Sequence, residues 1–282
     1  KMLEDKGLMD VARSANDNDG PVGGIKEEDK KQHFSTRFSG SSARVELALL
    51  DPKDDLRNAS DLFVKAFSGG KIGLLDVPCG AGAASAALLG CVAELRKAKV
   101  LPREKLEVFL VGGDISVYAR GYASELLAGM RVDLESQGIW VREKSVQWDV
   151  LNAESTTDVL HSWMEWAPDC REYFVVMANF SGFLQGEGKF GEARPQLDEI
   201  FRWAAKRRSS VFWIEPQTNI AGKGLIPRIL EWFKFRLPSR FMPTWVPATS
   251  VALSNVLCQH PVKSGDRLSV RLNLIRLEAT ET

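Results

Sequence analysis

The chain has 282 residues and is 44% hydrophobic, enough for one large domain with a buried core. Lys plus Arg and Asp plus Glu both number 37, so the formal net charge is zero. That balance excludes a global attraction to nucleic acid or an anionic membrane, although it leaves room for a local basic patch. No apolar run is long enough to read as a membrane span, and the first ten residues lack the apolar core of a signal peptide. Cys79, Cys91, Cys170 and Cys258 are scattered, with no CxxC pair, and the only histidines are His33, His161 and His260. No zinc-ligand spacing results, so no metal is expected, and free thiols in a reducing cytoplasm are the preferred reading.

Residues 1–32 are rich in Asn, Asp, Gly and charge, with few apolar side chains to offset ordering entropy. They predict a flexible N-terminal arm. Residues 33–70 read as a helical cap, with Phe34 and Phe38 as anchors and Leu62, Phe63, Ala66 and Phe67 at helical spacing before Gly69-Gly70. From Lys71 the pattern changes. Short apolar runs alternate with helix-forming stretches: a strand ending at Asp76, a helix over 83–99, and a strand over 106–112 ending at Asp114. A helix over 117–136, a strand over 141–148 ending at Asp149, and a helix over 156–166 follow. A strand over 173–178 then ends at Asn179, a helix covers 197–207, and a strand over 210–214 ends at Glu215. Residues 249–257 and 268–277 read as two further strands, joined through the turn-like run Lys263-Ser264-Gly265-Asp266.

The expected fold is α/β: a doubly wound, mostly parallel seven-stranded sheet with helices on both faces and a C-terminal antiparallel hairpin. It occupies residues 71–282, with a lid insertion near 220–247.

Asp76, Asp114, Asp149 and Asn179 thus stand at or just past the carboxyl ends of successive strands, where open α/β sheets bind ligands. Gly80 and Gly82 allow positive φ and close backbone approach after the first strand. The run Leu75-Asp76-Val77-Pro78-Cys79-Gly80-Ala81-Gly82 resembles the first motif of class I S-adenosylmethionine-dependent methyltransferases, with Pro78 where the family often has glycine. Gly112-Gly113-Asp114-Ile115-Ser116 is similar to the second motif and Trp148-Asp149-Val150 to the third. The resemblance covers about residues 71–217.

It implies S-adenosyl-L-methionine as cofactor. Asp76 would face its amino group, Gly80 and Gly82 its amino-acid portion, and Asp114 its ribose hydroxyls. Asp149 and the Val150 N–H would meet adenine, with Pro78 and Ile115 completing the cofactor set. Asn179, with Phe180, would meet the methyl group and the acceptor. Glu215 is the best-placed candidate base, with structural capping as its alternative; each histidine reads as structural. Cys79 lacks a paired histidine and is a poor nucleophile.

The expected activity is methyl transfer to a small-molecule acceptor in the cytoplasm. An RNA acceptor is the alternative, through the aromatic-basic segment 228–245, where Arg236 and Arg240 lie among Trp232, Phe233, Phe235 and Phe241. The same segment reads as an amphipathic lid. A non-catalytic cofactor-binding module and a nucleotide-dependent dehydrogenase are further readings; the loop lacks the G-x-G-x-x-G of the latter. The loop 181–191 reads as a flap.

Overall fold

The structure, a computed structural model, describes residues 2–14, 26–185, 189–207, 209–216, 252–253, 257–268 and 270–277. The chain begins with helices α1 (Met2–Asp5), α2 (Met9–Ser14), α3 (Glu27–Leu50) and α4 (Arg57–Phe67). Strand β1 (Gly70–Asp76), α5 (Ala83–Lys97), β2 (Leu106–Asp114), α6 (Val117–Ser136) and β3 (Ile139–Gln147) follow. Next come α7 (Ala153–Trp166), β4 (Glu172–Ala178), α8 (Ser181–Gln185), α9 (Phe190–Ala205) and β5 (Ser209–Glu215). The chain closes with β6 (Ala252–Leu253), β7 (Cys258–Gln259), β8 (Arg267–Leu268) and β9 (Arg271–Leu277).

The parallel part of the sheet has five strands in the order β3-β2-β1-β4-β5. Beyond β5 the pairing turns antiparallel, through β9 and a two-residue contact with β6. A separate antiparallel hairpin joins β7 to β8 around the expected 263–266 turn. Strand order reverses between β1 and β4, which places the crevice of an open α/β sheet at their carboxyl ends.

Period-two alternation divides the strand side chains between two cores. Ile72, Leu74, Val108, Leu110, Phe174 and Val176 pack with α3 to α6 on one face. Leu75, Val77, Phe109, Val111, Val175 and Met177 pack with α7 to α9 on the other. Burial on both faces is why these strands read as near-continuous apolar runs.

The flexible N-terminal arm needs correction. Residues 2–14 do not form a flexible arm: α1 and α2 bury Leu3, Leu8 and Ala12 against Phe34. The charged stretch over 26–31 is the start of α3, which buries Lys30 along with Phe34. Of the segment 181–191 read as a flap, residues 181–185 form α8 and residues 190–191 begin α9, and 186–188 lie outside the described residues. The lid insertion and the aromatic-basic segment 228–245 lie outside the described residues.

At the amino edge of the sheet one buried cation joins three elements. Arg96 is 2% exposed. Its Nη1 donates to the carbonyls of Glu104, Gln137 and Gly138 at 2.7, 2.7 and 3.2 Å, and its Nη2 to those of Phe67 and Ser68 at 3.4 and 2.9 Å. The end of α4, the approach to β2 and the end of α6 are thereby tied together. Arg96→Ala strands several buried carbonyls and should cost about 3 kcal/mol in urea unfolding. Lys97→Ala, on the exposed side of the same helix, should stay within about 0.5 kcal/mol.

Candidate functional site

The first parallel strand ends inside the protein. Asp76 is 1% exposed, and its Oδ2 accepts from Ser85 Oγ at 2.5 Å and Ser85 N–H at 3.3 Å. Its Oδ1 is buried and meets no hydrogen-bond donor among the described residues. Burial pushes the Asp76 carboxyl up to about 7, against the pull of the two Ser85 bonds and with a further push from the Asp114 charge.

Between Asp76 and α5 the chain makes the tight turn that the glycines anticipate. Gly80 has φ +50° and Gly82 φ +78°. A Cβ on Gly82 would also lie 3.0 Å from the Ala123 methyl and 3.1 Å from its Cα, so α6 lies directly against the turn. Cys79 N–H donates to the Gly113 carbonyl at 2.8 Å, which joins the turn to the end of β2. The Cys79 thiol is buried and pushed well above its ordinary pKa, chiefly by that burial, which rules against a thiolate nucleophile.

Asp114 closes the turn from β2. Its Oδ2 accepts from Gly80 N–H at 3.1 Å and its Oδ1 from Ser116 N–H at 2.9 Å. Lys30 of α3 brings its Nζ to 3.9 Å from Oδ1, with both side chains buried. The Asp114 carbonyl accepts from Arg120 and from Trp148 N–H, the latter at 3.2 Å, so the end of β3 is drawn in as well. Ile115 is 38% exposed beside it. Asp149 uses Oδ1 to accept from Leu151 N–H at 2.9 Å, within its own turn, and Val150 is buried in the second core.

Asn179 adopts φ +55° and is exposed. Its Nδ2 donates to Ser41 Oγ of α3 at 2.7 Å. The sequence leaves two readings for Glu215, a candidate base and a structural cap, and its contacts are those of a cap. It is fully buried, and its Oε1 accepts from Phe180 N–H, Ser181 N–H and Trp213 Nε1 at 2.8, 2.7 and 2.8 Å. Burial raises its carboxyl, and the Ser181 and Trp213 donors oppose that rise. Glu215 therefore positions the Asn179–Phe180 turn.

The structure thus gathers Asp76, Pro78, Gly80, Gly82, Asp114 and Ile115 at the ends of β1 and β2, with Asp149 and Val150 after β3 and Asn179 after β4. Missing from the sequence reading are Lys30 and Ser41, both from α3. His33, assigned there to a structural role, lies on the same helix. Burial and the positive charges of Lys30 and Arg37 hold its pKa down to about 4.

No family model matches the chain, and no curated protein matches it. Among solved structures it is similar to a Listeria monocytogenes protein provisionally assigned to the class I S-adenosylmethionine-dependent methyltransferases. The identity is 12% and the TM-score 0.39, over 93% of this chain and 72% of that one. It is similar to the rRNA methyltransferase aviRa of Streptomyces viridochromogenes, at 12% identity and TM-score 0.38, over 78% of this chain and 84% of that one. It is also similar to the geranyl diphosphate C-methyltransferase of Streptomyces coelicolor, at 11% identity and TM-score 0.33, over 93% and 86%.

Asp76 has a pH signature. Its folded-state pKa of about 7 lies above the ordinary 3.8, so the folded protein holds a proton that the unfolded chain releases. The associated stability is present below about pH 4 and is lost as pH rises toward 7. Asp76→Asn keeps an acceptor for Ser85 and should gain on the wild type across that range, by at most about 4 kcal/mol. Denaturant unfolding of both proteins from pH 4 to 8 measures it; parallel curves would refute the shift.

Proposed function

We propose that the chain is an S-adenosylmethionine-dependent methyltransferase acting on a small-molecule acceptor. The observation that carries this reading is the junction of Gly80 N–H with the Asp114 carboxylate at 3.1 Å. It brings a positive-φ glycine turn and the acid of the next strand to one crevice, at the point where strand order reverses. The residues present fit the cofactor: Asp76 keeps a buried acceptor oxygen that meets no donor among the described residues, as a cationic amino group requires.

When bound, the cofactor supplies a sulfonium methyl open to in-line displacement. The chain's own residues bind and orient. Gly80 and Gly82 admit the amino-acid portion, Asp114 accepts from the ribose hydroxyls, and Asp149 and Val150 N–H meet adenine. Asn179 and Phe180 flank the acceptor, with Glu215 holding their turn in place. Alignment of this kind accounts for up to about 7–11 kcal/mol of a barrier. A small acceptor is favoured because α3 crosses the carboxyl edge from Asp114 to Asn179 and narrows access. No helix among the described residues is long and apolar enough to cross a membrane. The four cysteines are free thiols, which accords with a cytoplasmic enzyme.

Calorimetry with S-adenosylmethionine, S-adenosylhomocysteine and NAD tests the reading. The first two should bind and NAD should not. Asp114→Ala should weaken binding by about 1–3 kcal/mol, roughly 5- to 150-fold. A folded protein that binds neither sulfur ligand would overturn it.

A further inference from the structure

Helices α3 and α6 meet beside the glycine turn, where Phe34 stacks on Tyr122 with ring centroids 4.9 Å apart and planes 10° from parallel. The short helices α1 and α2 lie across this meeting point as a strap. Leu3, Leu8, Ala12 and Phe34 form one buried cluster, with Ala81 of the turn and Tyr122 packed against it. Lys6 pairs with Glu125 of α6 at 2.7 Å and stands over the Tyr122 ring at 5.1 Å. Next to Ala81 the turn faces space: a Cβ on Gly80 would meet no heavy atom beyond its chain neighbours within 4 Å among the described residues. Asp76 and Asp114 are nevertheless 1% and 5% exposed, so a ligand the size of a nucleoside reaches them only when a covering element moves.

The strap is lightly held. No apolar side chain of residues 2–14 enters either sheet core. Its buried hold is Leu3, Leu8 and Ala12, set against the entropy of ordering the whole segment. Its ion pair lies at the surface, with the Lys6 and Glu125 side chains 26% and 56% exposed, and such pairs stabilise little. A layer with few buried apolar contacts opens locally, ahead of the rest of the fold. Helix α3 is anchored better. Val45, Leu47, Ala48 and Leu49 belong to the larger core, and Ser41 bonds Asn179 at 2.7 Å. The strap therefore lifts while the second half of α3 stays in place.

We propose that α1 and α2 gate the crevice: the strap lifts from Phe34, Ala81 and Tyr122 to admit a nucleoside-bearing ligand and reseats beside it. Naming the ligand rests on the function proposed above; the lifting of the strap does not. A seated strap keeps water from the glycine turn and holds the ligand in. Its seat is on α3, α6 and Ala81 rather than on the strand-end acids, so it governs how fast the ligand enters and leaves more than how tightly it binds.

Two thiol reporters in the full chain test the lifting. Ala12→Cys lies on the buried face of the strap and Ala48→Cys on the anchored half of α3, each replacing an alanine that is 0% exposed. Labelling is read by peptide mass mapping, which separates the reporters from the four native cysteines. Position 12 should label at least about tenfold faster than position 48, and Leu8→Asp should hasten position 12 about tenfold more while leaving position 48 unchanged. The gate is tested by stopped-flow binding of S-adenosylhomocysteine. Lys6→Cys with Glu125→Cys, joined by a bis-methanethiosulfonate linker, should slow association and dissociation alike by about tenfold, and dithiothreitol should restore both rates. Equal labelling at positions 12 and 48 overturns the lifting strap. A linked strap that leaves both binding rates unchanged overturns the gate. If the wild type binds no S-adenosylhomocysteine but position 12 labels ahead of position 48 and responds to Leu8→Asp, the cofactor reading falls and the lifting strap stands. A protein that binds no S-adenosylhomocysteine and labels both positions alike overturns both.

Discussion

A carboxylate has room for about four hydrogen-bond donors, and at Asp114 two of those places tie the upper edge of the protein together, with an ammonium close by. Gly80 N–H, Ser116 N–H and the Lys30 ammonium approach it from three separate segments: the glycine turn, the start of α6 and helix α3. Its backbone carbonyl adds Arg120 and Trp148. The turn after β1 has its shape because β2 offers an acid where the turn passes, and α3 crosses the edge because that acid leaves a charge to be met.

Three acids close parallel strands of one sheet, yet burial and partners give them different chemistry. Asp76 is enclosed, and one of its oxygens meets no donor among the described residues, so its charge is costly. Asp114 is buried but answered by N–H groups and an ammonium. Glu215 is fully buried and turned toward the backbone of the Asn179–Phe180 turn, which suits it to hold geometry. Position at a strand end is thus a poor guide to role until the donors around each carboxylate are known.

Strands β1, β2, β4 and β5 are legible in the sequence because both faces are largely buried, so each reads as an apolar run with an acid or amide after it, whereas the edge strand β3 carries Arg142, Glu143 and Lys144 and is mostly half-buried or exposed. The glycine turn is legible for a related reason: positive φ leaves few residue choices. Helix α3 is only partly so. Its last turns bury Val45, Leu47, Ala48 and Leu49, but its middle buries Ser35, Ser39, Gly40 and Ala43, small residues that give no apolar period there. Lys30 stands in a charged run and cannot be told from a solvated lysine until Asp114 is seen beside it. Glu215 misleads for the converse reason, since an acid at a strand end has the same one-letter pattern whether its oxygens face solvent or a turn.

The corner around Arg96 behaves differently from this upper edge. Its hydrogen bonds run to five main-chain carbonyls, groups that neither titrate nor exchange partners with dissolved ions. Acid and alkali act on the carboxyl edge of the sheet through Asp76 and His33, while the opposite edge keeps its bonds. The molecule therefore has a chemically responsive rim and an inert base, so a shift in solution conditions loosens the crevice before it disturbs the scaffold beneath.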